Sequence, residues 1–131
     1  MLIYLDSVVV IYAVEGAPAF RARAIARLAA AKSAGDEIAT SDLTRLECLV
    51  QPIRNNDVAL QQDDSRFLST TTVLPLPYTV YDRAALIRAV HNYSIADSLH
   101  LAAAILGNCG RFSTNDARLL GFPDIDIEIL P

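Results

Sequence analysis

Four acidic residues occupy positions where a carboxylate could do chemistry: Asp6, Glu47, Asp97 and Asp116. Asp6 follows the apolar run Leu2 to Leu5, and Asp116 closes Ser113-Thr114-Asn115-Asp116 behind Arg111 and Phe112. Asp97 opens a helical pattern after Asn92-Tyr93-Ser94-Ile95-Ala96. Taken singly, Asp6, Asp97 and Asp116 read first as helix N-caps, whose side chains accept from free backbone N–H groups. Glu47 fits that explanation poorly. It interrupts the apolar side of its own helix, four residues after Leu43 and three before Val50. A carboxylate there is costly without a partner, and Arg45, two residues away, cannot face it.

The elements that must position these acids alternate. Leu2–Leu5 reads as a buried strand, Ser7 to Val14 as a short helix, and Ala19 to Ala34 as a longer one with Gly35 in its C-terminal cap. Glu37 to Thr40 is a strand. Ser41 or Asp42 then caps a helix whose apolar side is Leu43, Leu46, Val50 and Ile53. A helix from Asn56 to Leu68 and a strand from Thr71 to Leu74 follow, the latter ended by Pro75-Leu76-Pro77. Helices from Thr79 to His91 and Asp97 to Leu106, a strand from Arg111 to Ser113 and an edge strand from Asp126 to Leu130 complete the order. Strands separated by helices mean parallel βαβ units, hence a three-layer α/β/α sandwich around a parallel sheet of four to five strands. In such sheets ligands bind beyond the carboxyl ends of the strands, where strand order reverses, and Asp6 and Ser113–Asp116 stand at strand ends.

Composition narrows the chemistry. The 131 residues are expected to form one domain, 1–131; 53% are apolar and 20% charged, which excludes disorder. Fifteen acids against eleven bases exclude nucleic-acid binding by general surface charge, so phosphate binding needs a local device such as a metal. Cys48 and Cys109 sit among apolar neighbours and read as buried thiols of a reducing compartment. No basic leader precedes the first strand, and the charge-free stretch Phe67–Tyr81 is too short and proline-broken to span a bilayer, so a soluble cytoplasmic protein is expected. There is no GxGxxG, P-loop or GxSxG motif. The only lysine, Lys32, lies mid-helix, against a phosphoacceptor domain, and Val8 stands where an Asp-x-Asp phosphatase needs its second acid. Asp63-Asp64 and Asp124-Asp126-Glu128 read as solvated surface, His100 as a packed core residue, and Tyr78 and Tyr81 as core or rim.

The ordered set resembles a known family. Leu5-Asp6-Ser7, Leu43-Thr44-Arg45-Leu46-Glu47, Ile95-Ala96-Asp97-Ser98-Leu99-His100-Leu101-Ala102-Ala103-Ala104 and Phe112-Ser113-Thr114-Asn115-Asp116 match the PIN-domain pattern in order and spacing across essentially the whole chain. The segment around Asp97 is the most diagnostic, and the opening is most like the stand-alone VapC-type toxins of that family. The resemblance implies strand order 3-2-1-4-5, a metal-dependent ribonuclease, a homodimer and a cognate antitoxin. That order brings Asp6 and Asp116 together, and crowded carboxylates stay ionised only beside a cation. An all-oxygen shell suits Mg²⁺, with Mn²⁺ as substitute.

In that reading Asp6 and Asp97 hold the principal metal, and Asp116 shares it or holds a second ion. Glu47 binds through water or helps deprotonate the nucleophile, and Thr114 hydrogen-bonds a carboxylate or a phosphate oxygen. Val8 stands where family members often carry a small polar residue, and Ala117-Arg118 stands where some carry a further acid. Without metal the four crowded carboxyls are expected to have raised pKa values. The mean hydropathy of +0.31 predicts an apolar surface buried between chains, and an antitoxin is expected to deliver Arg or Lys into the acidic pocket. The alternative is a PIN-like module that binds RNA or protein without cutting.

Overall fold

The computed structural model describes residues 1–130. Five strands, β1 (Leu2–Leu5), β2 (Glu37–Ser41), β3 (Thr72–Leu74), β4 (Arg111–Thr114) and β5 (Asp126–Ile129), form one sheet in the order β3-β2-β1-β4-β5. All pairings are parallel. Six helices connect them: α1 (Ser7–Glu15), α2 (Pro18–Ser33), α3 (Asp42–Arg54), α4 (Val58–Leu68), α5 (Tyr78–His91) and α6 (Ile95–Leu106). The expected sandwich and strand order are those observed.

Side-chain alternation along β1 divides the core. Tyr4 faces the layer of α5 and α6, where it packs with Phe112, Leu101, Ala84 and Ile87. Ile3 and Leu5 face the opposite layer with Val9, Val10, Ala24, Ala31, Cys48 and Leu68. Being covered on both faces, β1 reads as a continuous apolar run rather than an alternating one. Strand order reverses between β1 and β4, which pair Leu5 with Ser113, so the residues after both strands emerge side by side. Gly35, at φ +80°, supplies the left-handed residue that ends α2 and turns the chain into β2.

Three expectations are corrected. The helix holding Asp97 starts at Ile95, with Ser94 as its N-cap: the Asp97 N–H donates to Ser94 Oγ at 3.0 Å. Asp97 is thus freed from capping duty. On α3 the buried face is Thr44, Cys48 and Pro52, and Leu46, Val50 and Ile53 lie exposed. A capping box between Ser41 and Thr44 rotates the helix this way, because Thr44 is drawn inward to bond the Ser41 N–H. Asp64 is core rather than surface: it is 2% exposed, with Oδ2 lacking a hydrogen-bond partner. Tyr78 and Tyr81 are exposed. Among the described residues no helix is long and apolar enough to cross a membrane.

Candidate active site

Asp6 is the first residue beyond β1, and its backbone N–H donates to Ser113 O at 2.9 Å, tying the ends of β1 and β4 together. Its carboxylate is fixed at both oxygens. Oδ1 accepts the Ser7 N–H at 2.8 Å, capping α1, and Oδ2 accepts the Thr114 hydroxyl at 2.7 Å. Thr114 is fully buried, and its Oγ1 in turn accepts the Asp116 N–H at 3.1 Å. One hydroxyl thus links the acids after β1 and β4. Capping and site membership coexist at Asp6 and at Asp116, which caps the 3₁₀ turn Ala117–Leu119 by accepting the Arg118 N–H at 3.0 Å.

Asp97 enters from the first turn of α6 with its side chain 22% exposed. Burial raises the Asp6 carboxyl above the ordinary carboxylate range and the nearby Asp97 adds to this, against the bonds from Thr114 and Ser7. The expected rise does not extend to all four acids. Hydrogen bonds from Arg118 hold Asp116 low: its guanidinium donates to both carboxylate oxygens, at 2.6 Å from Nη2 and 3.0–3.1 Å from Nε. Arg118 also stands 3.9 Å from Asp97. At Glu47, burial pushes the carboxyl up, but hydrogen bonds from His100 and Ser7 outweigh it and leave the group below its usual range.

The Glu47 partners were not recognised from sequence. Its Oε1 accepts the Ser7 hydroxyl at 2.8 Å and a short bond from His100 Nε2. His100 is packed, as expected, yet it is also wired: Nδ1 meets the Tyr4 hydroxyl at 2.7 Å, which meets Ser41 Oγ at 2.8 Å. Burial holds the Tyr4 phenol well above its ordinary pKa, so it stays protonated within this chain of bonds. Two lone polar groups on apolar helix faces, Glu47 and His100, were the available signal. Each needed a partner, and helical spacing does not reach across 53 residues.

Asp6, Thr114, Asp97 and Asp116 therefore gather at one corner, and Glu47 is joined to it through Ser7. Among the described residues no three His, Cys, Asp or Glu side chains stand close enough to hold an ion as placed. As placed, Arg118 binds Asp116, and Ser7 and His100 bind Glu47. The donor chemistry nevertheless fits a hard divalent cation. It is all carboxylate oxygen, with one half-buried acid locked in place and a second acid beside it.

This is a doubly wound α/β domain with acids gathered at its switch point. The PIN domain family model matches residues 3–127, and the chain belongs to the PIN-domain family. No curated protein sequence matches it. Among solved structures, VapBC2 of Rickettsia felis, bound to a promoter DNA fragment, is similar at 18% identity and TM-score 0.83, over 100% of both chains. DNA-bound VapBC of Salmonella typhimurium matches at 19% identity and TM-score 0.77, also over 100% of both. Mycobacterium tuberculosis VapC20, a sarcin–ricin-loop-cleaving toxin, matches at 18% and 0.73, covering 95% of this chain and 98% of that one.

Proposed function

We propose that the chain is a metal-dependent endoribonuclease toxin of the VapC type, restrained in the cytoplasm by a cognate antitoxin. The observation that carries this reading is the Asp6 carboxylate, locked by Thr114 and the Ser7 N–H and with its pKa raised by burial and by Asp97. Such an acid calls for a cation. Asp6 and Asp97 would hold Mg²⁺ or Mn²⁺, with Asp116 sharing it or holding a second ion. When bound, the ion supplies a nucleophilic water at neutral pH and neutralises charge on the phosphoryl oxygens. Thr114 keeps Asp6 oriented. Glu47, steadied by Ser7 and His100, would accept a proton from the attacking water or bind the ion through water. Family membership supports a nuclease, and the similar solved toxin–antitoxin complexes support an antitoxin partner. The exposed apolar residues Leu46, Val50 and Ile53 on α3 support an interface with another chain, as an antitoxin or a homodimer would provide.

A second reading, an RNA- or protein-binding module that does not cut, draws support from the Arg118–Asp116 ion pair, which occupies one of the acids. Incubating the purified protein with total cellular RNA in Mg²⁺, in Mn²⁺ and in EDTA separates the two. Discrete cleavage in either metal, absent in EDTA and in Asp6→Asn, is expected. RNA left intact by the parent protein in both metals would overturn the nuclease reading.

A further inference from the structure

Among the described residues Arg118 is the one arginine or lysine found paired to the site's acids. It grips Asp116 through Nε and Nη2, reaches to 3.9 Å from Asp97, and yet is 79% exposed, so nothing buries it in that position. A guanidinium bound to Asp116 and near Asp97 would compete with a divalent cation for these carboxylates. Asp116 cannot serve both at full strength, since the guanidinium takes up both of its oxygens, Nε on Oδ1 and Nη2 on Oδ2. An arginine freed there stands on the 3₁₀ turn directly after β4, beside the acids, in a chain whose net charge of −4 offers an anionic polymer little general attraction.

Resting on the nuclease reading above, we propose that Arg118 is the phosphate-binding residue of the site: it pairs with Asp116, 3.9 Å from Asp97, and swings to the RNA backbone when a divalent ion claims those acids. Its fork geometry suits phosphodiester oxygens as well as it suits a carboxylate. The exchange leaves each charged group with a partner of opposite sign. The ion replaces the guanidinium on the acids, and the guanidinium then meets the anion the ion has helped to draw in. Arg118 therefore opposes metal loading and favours substrate binding, two effects of opposite sign from one side chain.

Mn²⁺ titration calorimetry of the RNA-free protein and the salt dependence of RNA cleavage in saturating Mn²⁺ test this on the parent, Arg118→Gln and Arg118→Lys. Arg118→Gln is expected to bind Mn²⁺ more tightly, by about tenfold at low salt, because the competing ion pair is gone. Its cleavage kcat/KM is expected to fall by about tenfold or more, with a log–log salt slope shallower by about one phosphate contact. Arg118→Lys, a point charge without the fork, should lie between the two proteins in both measurements. Unchanged Mn²⁺ affinity in Arg118→Gln overturns the inference while leaving the nuclease reading intact. Tighter Mn²⁺ binding with equal or faster cleavage also overturns it, making Arg118 an obstruction only. A parent that neither binds Mn²⁺ nor cleaves RNA removes the nuclease reading and this inference with it. Because the side chain is so exposed, thermal melts should show all three proteins equally folded.

Discussion

Asp97 and Ser94 offer a crossed test of whether the acid on α6 serves the fold or the chemistry. Ser94 accepts the Asp97 N–H and caps the helix, whereas Asp97 caps nothing and has only Arg118, 3.9 Å away, as a charged partner. Asp97→Asn keeps the shape. It removes a negative charge from the first helical turn, which at the surface is worth about 0.3–1 kcal/mol, and relieves the repulsion with Asp6 that acts in the opposite direction. The net stability change is therefore expected to lie within about 0.5 kcal/mol of zero. Ser94→Ala removes the cap and should cost about 1 kcal/mol. Activity should divide the other way. Losing a metal ligand should lower kcat/KM by at least about 100-fold, beyond the usual effect of removing a ligand's supporting group. Ser94→Ala should keep cleavage within about threefold, since it alters the helix end without removing a charge from the site. Urea unfolding paired with RNA cleavage at fixed Mg²⁺ reads both quantities. Asp97→Asn cleaving as fast as the parent would refute the ligand role, and Asp97→Asn unfolding as readily as Ser94→Ala would show that the acid is structural.

Asp64 supplies a pH test at a buried acid outside the candidate site. Burial, with Glu15 and Asp63 adding, raises its carboxyl from 3.8 to about 6, so the folded state holds a proton the unfolded state has lost. Its contribution is therefore fully present below pH 4 and lost as pH rises through about 6. A shift of that size corresponds to at most about 3 kcal/mol. Asp64→Asn should accordingly lose less stability than the parent between pH 4 and 7.5, and equal losses by urea unfolding would count against the burial. For the acids of the site, Mn²⁺ should raise the melting temperature more at pH 7.5 than at pH 5.5, because ligands must shed protons to bind it. Asp6→Asn should abolish that response and, at pH 7.5 in EDTA, melt no lower than the parent, since the half-buried Asp6 charge is costly without metal. A parent unmoved by Mn²⁺ at both pH values would remove the physical basis of the metal centre.

What the sequence disclosed depended on how far each contact reaches along the chain. Strand and helix order followed from local periodicity and breakers, and strand order came with the resemblance carried by the acid-bearing segments. Asp6 was legible because it ends an apolar run, and Thr114 because it precedes an acid at the next strand end. The orientation of α3 was not, since a stripe of Leu46, Val50 and Ile53 looks like a buried face and only the Ser41–Thr44 box sets the rotation. Asp64 misled for the reverse reason: a pair of adjacent acids looks solvated, but successive residues on a helix point about 100° apart, and only Asp63 reaches solvent. Glu47 and His100 each announced a need, but their pairing depends on α3 and α6 meeting, which no local pattern states.

The Thr114–Asp6 bond joins residues 108 positions apart, and β1 receives β4 as its neighbour only after most of the chain exists. A growing chain on the ribosome can pair β1 with β2 early, but it has no partner for the far side of β1 until residues 111–114 emerge. Up to that moment Asp6 lacks Thr114, and Asp116 has not been made. A prematurely terminated product ending before β4 would contain Asp6, Glu47 and even Asp97 without the strand that aligns them. If the chain is the nuclease proposed above, this order of synthesis delays the assembly of its acids until β4 has emerged and paired with β1.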